Sequence, residues 1–143
     1  MNMDNLIELR KDLGLTQEEM GKIVGVSYST YSNYENYHTV IPLKRINIIS
    51  NKYNKSLDFL LGFSRTNADN FNHVDIDYHN IGKRLKELRL SYNLSIRQFA
   101  DKLKISKTAV DCYETGKIKV TAPVLISYAK LCNKSIDWLC CKK

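Results

Sequence analysis

Residues 15–35, LTQEEMGKIVGVSYSTYSNYE, read as two short helices on either side of a tight turn. Thr16 followed three residues later by Glu19 has the spacing of a capping box, in which each side chain satisfies an amide of the other at a helix start. Gly25-Val26-Ser27 interrupts that helix, and Ser27 stands where a hydroxyl caps the next one. Gly21 inside the first helix, Val26 in the turn and Tyr31 in the second helix are the small and apolar residues that let two helices pack across a short turn. Outward from this segment, Leu6 and Leu9 mark a preceding helix. Pro42 stands where a fourth can begin, because proline is tolerated in a first turn. Ser56-Leu57-Asp58 opens a short fifth.

The same plan occurs twice. Shifting the chain by 79 positions aligns residues 6–60 with 85–139 without a gap. Identities fall at Leu6/Leu85, Arg10/Arg89, Leu15/Leu94, Ser27/Ser106, Tyr34/Tyr113, Glu35/Glu114 and Asp58/Asp137. Apolar exchanges such as Met20/Phe99, Val24/Leu103 and Phe59/Trp138 keep the helical spacing between them. Ser95 and Gln98 repeat the capping box, and Ser135-Ile136-Asp137 repeats the opening of the fifth helix. The expected fold is all-α: two tandem five-helix domains, residues 1–62 and 81–143, joined by an extended linker over 63–80. Fully extended, that linker reaches at most about 60 Å.

Composition narrows the function. The chain has 143 residues and a formal net charge of +7. Residues 1–62 hold seven basic and seven acidic side chains, whereas 81–143 hold fourteen basic and five acidic ones, so the positive charge belongs to the second half. A basic domain fits a nucleic-acid partner. No apolar run approaches the roughly 20 residues that span a bilayer, and no secretory leader pattern opens the chain. A cytoplasmic protein without membrane partner is expected. Cys112, Cys132, Cys140 and Cys141 lack metal-site spacing and are read as inert thiols. No glycine-rich phosphate loop and no nucleophile motif is present, so neither an enzyme nor a cofactor is expected. The length after the second repeat is expected to leave no self-cleaving or ligand-sensing domain.

Residues 15–35 and 94–114 resemble the helix-turn-helix of the Cro and phage-repressor family, also called the xenobiotic-response-element family, with Ala100, Ile105 and Val110 in the places of Gly21, Val26 and Tyr31. The resemblance implies that the third helix of each repeat enters the major groove and reads base edges with its N-terminal residues. The readers it implies are Tyr28, Ser29 and Asn33 with Ser32 nearby, and in the second repeat Lys107, Thr108, Asp111 and Cys112. Asn33 can pair bidentately with adenine and Lys107 can donate to guanine. Gln17 matches a family glutamine that holds a backbone phosphate, a place taken by Ile96 in the second repeat. Asn36 in the first repeat, and Lys117 and Lys119 in the second, match the loop that touches the DNA backbone. The first repeat lacks the loop glycine that Gly116 supplies. Arg10 with Glu35, and Arg89 with Glu114, are implied to form ion pairs between the first and third helices, since a guanidinium can grip a carboxylate with two bonds.

The linker holds His73, Asp75, Asp77 and His79 alternating with Val74, Ile76 and Tyr78. On a straight strand, successive ligands would lie roughly 6.6 Å apart, too far to share one ion. The expectation is an extended segment over 73–79 that packs its apolar side or pairs with a second copy in a homodimer, not a metal site. The leading functional reading is a sequence-specific regulator, a repressor, that binds double-stranded DNA through both repeats. The alternative is an interaction protein whose first domain grips a protein partner while the second binds DNA or nothing.

Overall fold

The computed structural model describes residues 1–143 and contains ten helices and no strand. They divide into two units, Met1–Asp75 and Ile76–Lys143. The first holds α1 (Asp4–Asp12), α2 (Gln17–Val24), α3 (Tyr28–Glu35), α4 (Leu43–Tyr53) and α5 (Leu57–Leu60). The second holds α6 (Tyr78–Ser91), α7 (Ile96–Leu103), α8 (Lys107–Thr115), α9 (Ala122–Cys132) and α10 (Ile136–Leu139). No helix is long and apolar enough to cross a membrane.

Caps set the helix starts. Thr16 and Ser95 each accept from the third amide of the helix they open while Glu19 and Gln98 close a complete capping box. Ser27 and Ser106 cap α3 and α8, and Ser56 and Ser135 cap the short α5 and α10. The apolar faces meet in one core per unit. Leu6, Met20, Val24, Tyr31, Ile46 and Leu60 are fully buried in the first, and Leu85, Val110, Leu125, Tyr128 and Leu139 in the second.

The turns repeat as faithfully as the helices. Left-handed backbone occurs at Gly14, Gly25, Tyr37, Asn54 and Gly62, and again 79 residues later at Asn93, Lys104, Gly116, Asn133 and Cys141. The residue types differ across four of these five pairs, so the packing of the helices imposes the conformation. At Tyr37 the cost of a left-handed non-glycine residue, roughly 1–2 kcal/mol, is offset in part by a tie. The Tyr37 hydroxyl accepts a 3.0 Å hydrogen bond from the Met3 amide at the start of α1.

The 63–80 connector is not a free linker. Residues 63–75 fold onto the first unit. Phe71 is buried. The Asn67 side chain accepts from the Ser56 amide at 2.8 Å and donates to the Asn54 carbonyl at 3.2 Å. The Val74 carbonyl accepts from Asn47 and Asn51. The extended segment expected over 73–79 ends at Asp77, whose carboxylate accepts from the amides of His79 and Asn80 and so starts α6 inside the expected linker. The apolar alternation is broken accordingly: Ile76 is buried, Tyr78 lies in the first turn of α6, and Val74 is exposed. The four ligand-type side chains have other work in part, His73 bonding Asn54 at 2.8 Å and His79 bonding the Thr115 carbonyl at 3.1 Å.

Helix α6 approaches α8 at Gly82. A Cβ there would lie 2.5 Å from the Glu114 carbonyl oxygen and 2.6 Å from that of Tyr113, both backbone atoms that cannot turn aside. Gly82→Ala should therefore push α6 from α8 and cost the second unit about 1–3 kcal/mol. Urea unfolding followed by the fluorescence of Trp138, the sole tryptophan, reads that unit, and an unchanged midpoint would refute the expectation.

Candidate nucleic-acid interface

In each unit the second and third helices pack across the turn that the sequence marks. At Gly21 an added Cβ would meet the Val26 and Ser27 carbonyls at 3.1 and 3.3 Å, and Ala100 takes that place in the second unit. The face of α3 left open by this packing begins with Tyr28, 56% exposed, and Ser29. Ser32 and Asn33 are half-buried one turn on, with the Ser32 hydroxyl accepting from Asn36 at 3.1 Å. The face of α8 exposes Lys107, Thr108 and Asp111. Lys117 and Lys119 are exposed on the following loop, where Lys119 stands 5.9 Å over the Tyr78 ring.

Cys112 does not belong to this face. It is only 7% exposed, packed inward as a small hydrophobe, and is withdrawn from the set of base readers. Gln17 is half-buried and its amide donates 3.0 Å to Glu35, so this donor is engaged within the protein. The other cysteines have no partner sulfur either: all four are free, with Cys132 and Cys140 buried and Cys141 half-buried.

What fixes the third helix is an ion pair under it. Arg10 grips Glu35 with two bonds, of 2.8 and 3.0 Å, and donates a third to the Leu15 carbonyl at 2.9 Å. Arg89 does the same to Glu114 at 2.7 and 2.9 Å and to the Leu94 carbonyl at 2.8 Å. One arginine therefore ties the first helix, the end of the third and the residue before the second helix's cap together. The side chains are 12% and 3% exposed in the first pair and 7% and 4% in the second. Burial alone would raise the Glu35 carboxyl, but the bonds from Arg10 and Gln17 outweigh it and hold it below its ordinary value. That stabilisation is present at neutral pH and is lost as pH falls through the lowered value. The Tyr128 hydroxyl lies buried without a hydrogen-bond partner, and burial raises the phenols of both Tyr31 and Tyr128.

The second unit has a feature the sequence reading passed over. Where Ile96 replaces glutamine, a cleft of about 410 Å³ opens between α6, α7 and α8, and Lys83 and Lys86 of α6 line it together with Asp111 of α8. The signal in the sequence was the pair of lysines at helical spacing opposite a lost amide.

Two helix-turn-helix units, each with a polar third helix held on a buried arginine–glutamate pair, define the class. The chain belongs to the helix-turn-helix family HTH_3, which matches residues 6–60 and again residues 85–139. It is similar to the uncharacterized HTH-type transcriptional regulator YobD of Bacillus subtilis, 33% identical over 64 residues, or 45% of this chain and 57% of that protein. It is also similar to antitoxin PezA of Streptococcus pneumoniae, 40% identical over 58 residues, or 41% of this chain and 37% of that protein. The chain thus covers little more than half of the first relative and little more than a third of the second. No solved structure matches it significantly.

Proposed function

We propose that this protein is a sequence-specific regulator that binds double-stranded DNA through both units and acts as a repressor. The observation that carries the reading is the pair of third helices, each exposing polar side chains on a helix whose end is held by a buried ion pair. A helix of that width enters a major groove, and a rigid mount lets a few side chains meet base edges at hydrogen-bond distance. Family membership and the regulator among the relatives support it. Tyr28, Ser29, Ser32 and Asn33 read bases in the first unit, and Lys107, Thr108 and Asp111 in the second. Asn36, Lys117 and Lys119 hold the backbone, and the second unit supplies most of the sequence-independent affinity because it carries the net positive charge.

Selection of duplexes from a random pool supplies the preferred site. On that site Asn33→Ala should cost about 1–3 kcal/mol and leave other sequences unchanged. Lys117→Ala with Lys119→Ala should weaken all sequences alike and flatten the dependence of log K on log salt by up to about two. The second reading rests on α3, which has no basic side chain and exposes Tyr28, with Tyr37 and Val40 exposed on the loop behind it. That surface suits a protein partner of the first unit. Asn33→Ala without effect on the best duplex would favour it.

A further inference from the structure

We infer that the cleft of the second unit is a seat for a DNA backbone phosphate, with Lys83 and Lys86 of α6 as its ligands. This rests on the DNA-binding reading above and adds a contact which the helix-turn-helix segment itself does not contain. The two units serve as each other's control. In the first, the Gln17 amide donates to Glu35 beside the ion pair. In the second, Ile96 offers no hydrogen bond, and the space is open at about 410 Å³. Lys83 and Lys86 stand in register with Asp4 and Ile7, so cations line this place only in the unit that has lost the amide.

The charge of the cleft decides what it takes. Arg89 and Glu114 are spent on each other. Lys83, Lys86 and Asp111 remain, all exposed, and two ammonium groups outweigh one carboxylate. His79 donates its Nδ1 proton to the Thr115 carbonyl, an acceptor only, and is held at the side. An anion is favoured, and no buried side chain is left over to recognise a particular small molecule. The position selects the source of the anion. Asp111 lies one turn from Lys107 and Thr108 on the open face of α8, so a group seated here runs beside the helix that enters the groove. A phosphodiester of the same duplex is the anion that passes there. Lysine suits it as a mobile point charge that requires no fixed geometry.

The test uses the full chain and a duplex from the selection above. Replacing Lys83→Met and Lys86→Met together should reduce the slope of log K against log salt by up to about two and weaken matched and mismatched duplexes alike. Lys102→Met with Lys130→Met removes the same charge from exposed lysines outside the cleft and should leave the slope unchanged. Melting followed at Trp138 shows that both variants fold. Equal flattening in both double variants would overturn the seat in favour of a diffuse field, and so would an unchanged slope in the first while the parent binds its duplex. If the parent binds no duplex at all, the DNA reading fails and the seat with it. Titration with inorganic pyrophosphate is the remaining arm. Saturable binding lost only in the Lys83/Lys86 variant, with the DNA slope unaltered, would assign the cleft to a free phosphate ligand and overturn the inference.

Discussion

Arg89→Met should cost the second unit about 3–5 kcal/mol, enough to unfold much of it at ambient temperature. The reason is the carboxylate left behind. Glu114 is buried, and both its oxygens take their hydrogen bonds from Arg89, so removing the guanidinium leaves a buried carboxylate without those bonds. The Leu94 carbonyl loses its 2.8 Å donor at the same time. Arg10→Met should cost the first unit less. There Gln17 still donates to Glu35, and the arginine is the more exposed of the two. The double change Arg89→Met with Glu114→Leu should recover most of the loss, because an apolar pair of like volume needs no counter-charge. Urea titrations followed at Trp138 report the second unit. A single-variant loss below about 1 kcal/mol, or a double variant no better than the single, would show that the pair does not anchor α8.

These pairs were legible through the family resemblance, and the same arginine and glutamate stand 25 residues apart in both repeats. The helices were readable without that resemblance. Serine or threonine at a helix start and apolar residues at helical spacing act through nearest neighbours, which a sequence displays directly. What stayed hidden depends on the third dimension. Residues 63–75 are polar and rich in Asn and Asp, the composition of a tether, yet Asn67 bonds the turn between α4 and α5, the Val74 carbonyl bonds α4, and Phe71 is buried. Alternation from Val74 to Tyr78 resembled a strand because periodicity does not register that Asp77 caps a helix. Cys112 took a reader's place by register with Asn33, but a thiol turns inward where an amide stays half-exposed. The first unit has no glycine at the place of Gly116. Tyr37 adopts the left-handed backbone regardless and bonds to Met3.

Register also exposes a buried charge. Lys142 occupies the place that Phe63 holds in the first unit, and both amides donate 2.8 Å to the carbonyl of the matching aspartate, Asp137 or Asp58. The slot that takes an aromatic ring in one unit takes an ammonium in the other, with no exposed surface. Burial pushes the Lys142 amine down to about 8, against the opposing pull of Asp137. Its unfolded value is near 10.4, so between those limits the unfolded chain binds the extra proton and stability rises with pH. The second unit should gain about 2 kcal/mol from this group between pH 8 and 10. Tyr128 and Cys132, whose values burial raises, oppose the gain at the alkaline end. The readout is therefore the difference between the parent and Lys142→Met in thermal melts followed at Trp138. Relative to the variant, the parent should gain stability as pH rises from 8 to 10, whatever the offset between the two at pH 7. A constant difference across the range would mean that Lys142 is not titrating in the fold, and that its ammonium is as well solvated there as in the unfolded chain.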